Sequence, residues 1–513
     1  MSPSLRCFAV AAFGLFISAC SSLPENVERE ASYQLEASSD TRIATSTAKL
    51  IAANPDKSGF FLLPDGLEAL VARMRMISSA DQTLDVQYYI WHWDDVGKLM
   101  YYALLQAADR GVRVRILLDD MDTAGKDDIL RLVDAHPQVE IRLFNPFANR
   151  DRRVADFVGD TARVNRRMHN KTLTADNLIT VFGGRNIGNE YFDAAQDVGF
   201  NDMDVVAVGG VAADVSTSFD LYWNSVEAYP LRAFYPGEYP EAADVEALRQ
   251  ELNDFARAAR ESEYAAALSK TSLAYIKALA GERLVWSDWL LAYDTPEKVR
   301  LDKVTEATHL APKLLKGFER TDNELIIVSP YFVPGRELTD YLVGMVERGV
   351  EVRILTNSLA ANDVPLVHSG YMRYRKDLVA GGVELYEFKT RKDEAIERSW
   401  KGASRASLHG KFFSFDQSYL FIGSFNLDGR SVALNTELGG YFESPAHASM
   451  LSQAFDEQGV KRAYRVTLDE RGDLRWTTMD NGEEVTFDKE PDTSWWMRTN
   501  VKLFSWFVPE KQL

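Results

Sequence analysis

One stretch of this chain occurs twice, as Ala108-Asp-Arg-Gly-Val-Arg-Val-Arg-Ile-Leu-Leu-Asp119 and as Val346-Glu-Arg-Gly-Val-Glu-Val-Arg-Ile-Leu-Thr-Asn357. In both copies a glycine ends a helical stretch, and a strand rich in β-branched residues follows it. Strands that alternate with helices at this spacing predict an α/β fold with parallel sheets. Further predicted strands precede and follow the two copies, at residues 84–90, 139–144, 325–330 and 383–388.

The duplication divides the chain, whose 513 residues are too many for one ordinary domain. We expect a first α/β half at residues 57–210 and a second half at residues 320–460. Residues 211–319 are rich in Ala, Glu and Arg and predict a connecting helical and loop-like region. Residues 461–513 predict a hairpin and an aromatic tail, which fits a membrane interface and a cap on the domain equally well.

The N-terminus has the build of a secretory signal. Arg6 supplies the positive charge, and residues 7–19 form an apolar stretch too short to span a bilayer. The stretch ends in Ile17-Ser-Ala-Cys20, which resembles the lipobox of bacterial lipoproteins. The resemblance implies a signal peptide at residues 1–19 and a diacylglycerol anchor on Cys20. Residues 20–56 predict a tether, because the segment is rich in Ser, Glu and Ala and has little periodicity. Ser21 after the cysteine favours the periplasmic side of an outer membrane over the inner one; an uncleaved apolar helix is the alternative.

Composition bears on the kind of partner. The chain is 46% hydrophobic and 26% charged, which is typical of a globular protein. Its net charge of −18 repels nucleic acid and anionic lipid heads alike, so an anionic substrate requires a local basic site. A large nucleic-acid surface is therefore disfavoured, and no nucleic-acid partner is expected.

Two of the seven histidines stand in the same frame. His169-Asn-Lys171 precedes Asp176 and then Asn186 of a Gly-Gly-Arg-Asn run, and the second copy repeats this pattern 240 residues later. In that copy the corresponding residues are His409, Lys411, Asp416 and, in Gly-Ser-Phe-Asn, Asn426. The doubled H-x-K-x4-D pattern with its trailing G-x-x-N resembles the signature of the phospholipase D superfamily.

The residue types suit phosphoryl transfer. On a strand, a histidine and a lysine at i and i+2 project from one face. Imidazole can act as nucleophile or proton carrier near neutral pH, and lysine is a compact cation for phosphoryl oxygens. The motif aspartates, Asp176 and Asp416, are seven positions beyond the histidines and have the opposite parity, which favours a supporting role for them.

The resemblance implies two halves packed face to face about a pseudo-twofold axis, with one phosphate site between them. In that family the six His, Lys and Asp residues of the two motifs form the catalytic set, and no metal or cofactor is required. His169 would attack phosphorus to give a phosphohistidine, and His409 would act as acid and then base. Two motif lysines and the asparagines Asn186 and Asn426 would hold the oxygens. We expect Glu437 to orient His169 and Asp202 to orient His409, across the axis.

Several further stretches are similar to bacterial cardiolipin synthases, the C-type above all. They include Asp85-Val-Gln-Tyr-Tyr-Ile-Trp91, Arg166-Arg-Met-His-Asn-Lys171 and Tyr331-Phe-Val-Pro334. The implied reaction moves a phosphatidyl group from phosphatidylglycerol or phosphatidylethanolamine onto phosphatidylglycerol. Arg166 and Arg167 would attract the lipid heads, unless they are solvated surface cations. A phospholipase D-type hydrolase, another transphosphatidylase, a nuclease and a non-catalytic lipoprotein scaffold are the alternatives.

Overall fold

The computed structural model describes residues 22–195, 198–261, 283–390, 405–480 and 482–507. The predicted signal peptide and Cys20 lie outside these residues. The described strands are β1 (Ser58–Leu63), β2 (Thr83–Tyr88), β3 (Arg113–Asp119), β4 (Val139–Phe144), β5 (Thr172–Ala175), β6 (Ile179–Gly183), β7 (Val198–Asn201), β8 (Asp204–Val208), β9 (Ala228–Pro230), β10 (Val285–Ser287), β11 (Trp289–Tyr293), β12 (Glu324–Val328), β13 (Glu351–Asn357), β14 (Glu384–Phe388), β15 (Arg405–Leu408), β16 (Phe412–Phe415), β17 (Tyr419–Gly423), β18 (Leu438–Glu443), β19 (Ala463–Leu468), β20 (Leu474–Asp480) and β21 (Glu483–Phe487).

The described α-helices are α1 (Arg42–Ala53), α2 (Gly66–Ser79), α3 (Asp95–Asp109), α4 (Asp127–Asp134), α5 (Arg153–Gly159), α6 (Thr161–Val164), α7 (Gly210–Trp223), α8 (Ala242–Arg260), α9 (Ala311–Glu319), α10 (Gly335–Glu347), α11 (Pro365–Tyr371), α12 (Arg375–Ala380), α13 (Gly429–Ala433), α14 (Pro445–Arg462) and α15 (Trp495–Phe507). Short 3-10 helices lie at Asp120–Asp122, Asn189–Tyr191, Leu231–Phe234 and Pro296–Arg300. None of these described helices is long and apolar enough to cross a bilayer.

The strands form two large sheets. The first has the order β10-β1-β8-β6-β5-β2-β3-β4-β9, and the second has the order β11-β18-β17-β16-β12-β13-β14-β19-β20-β21. The predicted duplicated α/β fold is confirmed, because each sheet holds three parallel strands (β2-β3-β4 and β12-β13-β14) with helices between them. Within the two large sheets, the expectation of parallel strands holds only for these. The other strands of those sheets pair antiparallel, since hairpins such as β5–β6 and β16–β17 complete each sheet.

The repeated stretch makes the same turn in both halves. Gly111 and Gly349 both have φ of 93°, a left-handed conformation that glycine adopts without a steric penalty. The helix before each glycine ends there, and the chain turns directly into β3 or β13. The turn places the two central strands of the parallel sets in equivalent positions.

The halves contact each other through an apolar layer between the sheets. The rings of Phe60 and Phe442 stack with centroids 4.4 Å apart. Gly440 leaves room for Phe182, since a Cβ at that glycine would lie 2.8 Å from the ring. A separate two-stranded sheet pairs β7 of the first half with β15 of the second. The two sheets therefore lie face to face and are joined at one edge.

The predicted connecting region is not separate from the halves. It contains α7, α8 and α9, but also strands that the sequence analysis did not predict. β10 pairs with β1 of the first sheet, and β11 pairs with β18 of the second. The predicted C-terminal hairpin likewise extends the second sheet through the pairing of β19 with β14. Open strand edges explain both differences, since these segments supply backbone partners to them.

The segment expected to be a tether differs from that expectation over residues 22–53. It contains α1, and its extended part lies along the first half. The backbone amide of Ser32 donates to Asn224, and the Ser32 carbonyl accepts from the buried guanidinium of Arg115. Arg29 donates to the carbonyl of Ala228. Polar groups of this segment thus contact residues of the first sheet and the end of α7.

Candidate active site

The two His-x-Lys segments lie at equivalent edges of the sheets. Each segment comes directly before the first strand of a hairpin, β5 or β16. β5 runs antiparallel to β2 with Thr172 opposite Gln87, and β16 runs antiparallel to β12 with Phe412 opposite Val328. The start of each hairpin is therefore level with the carboxyl ends of the parallel strands. Ligands of α/β sheets bind at this edge.

Backbone pairing across the axis brings the two motifs together. The amide of His169 donates to the carbonyl of Thr436, at 2.8 Å. The amide of His409 donates to the carbonyl of Asn201, at 2.7 Å. Each histidine is thus fixed against the opposite half of the molecule.

The side chains of the two histidines also pair with the opposite half. Nδ1 of His169 lies 2.9 Å from Oε2 of Glu437, and Nδ1 of His409 lies 2.5 Å from Oδ2 of Asp202. The structure therefore contains both pairs that the sequence analysis expected. A carboxylate that accepts from Nδ1–H leaves the Nε2 lone pair available to a substrate.

Buried hydroxyl groups hold Glu437 in place. Ser424, in the Gly-Ser-Phe-Asn run after the second motif, donates to Oε2 at 2.5 Å, and Ser431 donates to Oε1 at 2.8 Å. Burial works to raise the pKa of Glu437, but His169 and Lys171 hold that pKa below its usual value. The carboxylate is therefore ionised at neutral pH and fixed in one orientation.

Burial sets the protonation of the two imidazoles. It lowers the pKa of His169 to about 4, against the opposing effect of Glu437. Burial and the neighbouring Lys411 also lower the pKa of His409. Both imidazoles are therefore neutral near pH 7 in the protein alone. A bound phosphate anion would favour the imidazolium form again.

The two lysines are buried beside the histidines. Burial lowers the pKa of Lys171 to about 7, and it also lowers the pKa of Lys411. Nζ of Lys171 donates to the carbonyl of His169 at 2.6 Å, and Lys411 donates to the carbonyl of His409. Nζ of Lys411 also lies 3.0 Å from Nδ1 of His409. An ammonium has three N–H donors, so Lys171 retains donors for the oxygens of a phosphate, and at Lys411 a bound phosphate would compete with the imidazole.

The motif aspartates lie outside this site. Asp176 and Asp416 occupy the hairpin turns after β5 and β16, with φ of 51° and 50°. The carboxylate of Asp176 accepts from the backbone amides of residues 81–83, and that of Asp416 accepts from residues 322–324. Both therefore tie a turn to the start of a central strand. Their place in the catalytic set is not supported by the geometry, whereas the supporting role expected from parity fits it.

Comparison with known proteins agrees with the duplication. Residues 74–223 and 314–458 match the family described as "Cardiolipin synthase, PLD-like domain". Cardiolipin synthase C of Escherichia coli (strain K12) is 42% identical over 468 residues, which cover 90% of this chain and 98% of that protein. The chain belongs to the PLD-like cardiolipin synthase family.

Two further relatives extend the comparison. An uncharacterized protein of Helicobacter pylori (strain ATCC 700392 / 26695) is 30% identical, with 92% of this chain and 93% of that protein covered. The crystal structure of phosphatidylserine synthase from Haemophilus influenzae Rd KW20 has a TM-score of 0.53 at 16% identity. The match covers 80% of this chain and 89% of that one, so the fold is shared.

The two motif asparagines differ within this family site. The side chain of Asn186 is already engaged, because Oδ1 accepts from the amide of Ile90 at 3.2 Å and Nδ2 donates to the hydroxyl of Tyr191 at 2.9 Å. Oδ1 of Asn426 is buried, and no hydrogen-bond partner for it lies in the part of the chain that the structure describes. Because Oδ1 is an acceptor, it suits a hydroxyl of the substrate and not a phosphoryl oxygen, whereas both ends of the Asn186 amide are engaged.

The arginines before the first motif have structural contacts. Arg167 is 1% exposed; its guanidinium lies 3.2 Å from Asp119 and donates to the carbonyl of Asn145. Arg166 pairs with Asp302 at 2.7 Å and donates to the carbonyl of Leu301. The guanidinium of Arg167 is buried and ion-paired. It is therefore not a solvated surface cation, and it is not exposed to attract lipid heads.

Aromatic rings complete the site, and the sequence analysis did not assign them. Tyr89 packs edge-on against His169, with ring centroids 5.1 Å apart. Tyr191 and Phe200 contact the ring of His409 at 5.2 and 5.0 Å. The position of Tyr89 directly after β2, at the ligand-binding edge of the sheet, is the signal that could have indicated it.

Proposed function

We propose that this chain is a phosphatidyl transferase that makes cardiolipin on the hydroxyl of phosphatidylglycerol. The donor is a second phosphatidylglycerol or a phosphatidylethanolamine. The observation that carries the proposal is the reciprocal pairing of His169 with Glu437 and of His409 with Asp202 beside two buried lysines. The 42% identity to a cardiolipin synthase supports the choice of lipid substrates.

In the proposed first step, Nε2 of His169 attacks the phosphorus of the donor. The bond to the leaving alcohol breaks, and His409 as imidazolium gives that alcohol its proton. The product is a phosphatidyl group bonded to His169. Lys171, Lys411 and the Nδ2 amide of Asn426 donate to the non-bridging oxygens while charge develops on them.

The second step reverses the proton transfer. His409, now neutral, takes the proton of the phosphatidylglycerol hydroxyl as that oxygen attacks phosphorus. The bond from phosphorus to His169 breaks, which restores the free imidazole and releases cardiolipin. The route uses side chains of this chain alone, so we expect neither a metal nor a cofactor to take part.

Transfer requires that a lipid alcohol reaches the phosphohistidine before water does. Both histidines and both lysines are at most 8% exposed, which fits a site that limits access of water. Hydrolysis to phosphatidic acid is the alternative outcome. We expect no nucleic-acid substrate, since the net charge of −18 opposes binding of a polyanion outside the site.

The reaction can be tested with purified protein and defined lipids. Phosphatidylglycerol is supplied with and without deuterated phosphatidylethanolamine, and the products are identified by mass. We expect cardiolipin, and no cardiolipin from a folded His169→Ala variant. Label in the product would identify phosphatidylethanolamine as a donor. Phosphatidic acid without cardiolipin would overturn the proposal in favour of a hydrolase.

We also propose that the chain is a lipoprotein anchored through Cys20 on the periplasmic side of the outer membrane. The lipobox-like Ile17-Ser-Ala-Cys20 and the serine at position 21 support this location. Radioactive palmitate fed to cells should label the chain, and the label should be lost in a Cys20→Ser variant. Equal labelling of both proteins would contradict the anchor.

A further inference from the structure

A short helix of the first half exposes apolar side chains. On α5, Val154 and Val158 are 76% and 84% exposed, and Phe157 between them is 38% exposed. Their spacing of three and four residues places them on one side of the helix. Valine side chains so exposed on adjacent turns form an apolar face without a partner in the described part of the chain.

A helix near the C-terminus does the same for the second half. On α15, Trp495 and Trp496 are 62% and 68% exposed, with ring centroids 4.8 Å apart, and Leu503 is 53% exposed. Val501 of the same helix is buried and holds α15 to the molecule. Tryptophan is favoured at the boundary between water and lipid because one end of the ring is apolar and the other polar.

The α5 face lies close to the first motif. Phe157 packs against Phe147, with ring centroids 5.4 Å apart. The guanidinium of Arg167 lies 5.3 Å from the centroid of the same Phe147 ring. Since Arg167 is two residues before His169, α5 stands beside the site on the side of the first half.

The α15 face lies close to the side of the site that the second half forms. α15 packs against α11, and Glu490 before it contacts His368 of α11 at 3.3 Å. α11 begins two residues after Asp363, which accepts from the hydroxyl of Tyr331 at 2.8 Å. Both of these residues follow the carboxyl ends of central strands, β13 and β12. The exposed faces of α5 and α15 therefore flank the same site from opposite halves.

The α15 face carries positive charge in an acidic chain, and α5 begins directly after the exposed Arg152. The other arginines near α5 pair with carboxylates: Arg150 and Arg153 with Asp120, Arg163 with Asp160, Arg166 with Asp302 and Arg167 with Asp119. Residues 495–507 hold Arg498 and Lys502 and no acidic residue. Apolar side chains beside cations match the surface of a bilayer that contains anionic lipid. A nucleic acid would not use the apolar side chains.

We propose that the exposed faces of α5 and α15 form a docking surface for a bilayer containing anionic phospholipid. The proposal rests on the proposed function, in which the substrates are lipids of that bilayer. A flat partner can contact both helices while the site between them receives a lipid head. A second copy of the chain seated on both helices would instead cover the site.

The contact can be measured with an environment-sensitive fluorophore on introduced cysteines. Full-length Val158→Cys and Trp496→Cys are labelled and mixed with vesicles of phosphatidylglycerol and phosphatidylethanolamine. We expect emission to shift to the blue, and to be quenched when the acyl chains are brominated. Met450→Cys is the matched control, because Met450 is 62% exposed on α14, a helix that covers the second sheet. The unsubstituted chain gives the labelling background.

Two outcomes would overturn the docking surface. One is the absence of quenching at both positions 158 and 496. The other is a blue shift that needs no vesicles and grows with protein concentration, which would show that a second copy covers the two helices.

Activity separates docking from chemistry. We expect the double variant Val158→Asp, Trp496→Asp to form cardiolipin on vesicles about ten times more slowly than the unsubstituted chain, because charge opposes entry into the bilayer. On the same lipids dispersed in detergent, its rate of cardiolipin formation should stay within about twofold of that of the unsubstituted chain. Equal losses in both assays would contradict docking. Absence of product from the unsubstituted chain in both assays would refute the proposed function, while the quenching result would still decide the docking.

Discussion

The ammonium of Lys171 is buried, and its pKa is lowered to about 7, so its charge is sensitive to pH in the neutral range. As pH rises through that value the free enzyme loses a cation that the anionic substrate needs. We therefore expect kcat/KM for cardiolipin formation to fall above about pH 7. A bound phosphate favours the ammonium, so kcat should fall only at higher pH.

A Lys171→Arg variant provides the comparison for this pH profile. Arginine remains protonated at all accessible pH values, so the fall of kcat/KM near neutral pH should disappear even if the overall rate is lower. The same alkaline fall in Lys171→Arg as in the unsubstituted chain would show that another group causes it.

Glu437 acts on the reaction only through His169. Glu437→Gln keeps the shape of the side chain but removes the charge that favours the Nδ1–H form of the imidazole. We expect kcat to fall about a hundredfold or more, with a smaller change in KM. Glu443→Gln is the matched control and should leave kcat unchanged, because Glu443 is exposed at the far end of β18, the strand that begins directly after Glu437. A large rise in KM with kcat intact would point to substrate binding instead.

Much of the site could be predicted at this scale because its residues stand in a repeated frame. The doubled motif indicated the histidines and lysines, and the duplication indicated which half supplies each orienting carboxylate. The roles of Arg166 and Arg167 could not be inferred, because sequence does not show that Asp119 and Asp302 neutralise them. The difference between Asn186 and Asn426 likewise depends on the amide of Ile90, which only the fold brings close to Asn186.

At the scale of elements, the motif aspartates hold the hairpin turns. Asp176 is 1% exposed and accepts from three backbone amides. Asp176→Ala leaves these amides without their acceptor, so the free energy of unfolding should fall by about 2 to 3 kcal/mol. Chemical denaturation measures this loss, and the folded variant should retain kcat. A folded and stable variant with no activity would show that Asp176 takes part in catalysis.

The hairpin turn that contains Asp416 leads to a prediction about the stability of the fold in acid. Backbone amides of residues 322–324 lower the pKa of Asp416, against a raising effect of burial. The ionised carboxylate thus stabilises the fold above the ordinary aspartate pKa of about 3.9, and this contribution is lost as pH falls through the lowered value. Asp416→Asn should therefore be less stable than the unsubstituted chain at pH 7, and the difference should shrink in acid. A constant difference across that range would contradict the assignment.

The predicted elements were right where the pattern is local. The strands around each repeated stretch and the glycine turns appear as expected from periodicity and turn chemistry. The parallel arrangement proved incomplete. Further strands were not predicted, among them β7, β9, β10, β11 and β15. These strands have three to five residues each and pair with distant parts of the chain, so no local signal marks them.

For the whole molecule, both halves must be present in one chain to form the site. His169 needs Glu437 from the second half, and His409 needs Asp202 from the first. We expect His169→Ala and His409→Ala chains to remain inactive when they are mixed, since neither contains both imidazoles. Recovery of activity on mixing would instead indicate a site shared between chains.

The most direct measurement of the central claim is the detection of phosphatidyl-histidine. In His409→Asn both steps should be slow, because the acid of the first step and the base of the second are missing, so the adduct forms slowly and then persists. After incubation with phosphatidylglycerol and denaturation at alkaline pH, peptide mass analysis should find the adduct on the peptide that contains His169. An adduct on another residue, or steady cardiolipin formation by His169→Ala, would contradict a site in which His169 is the nucleophile.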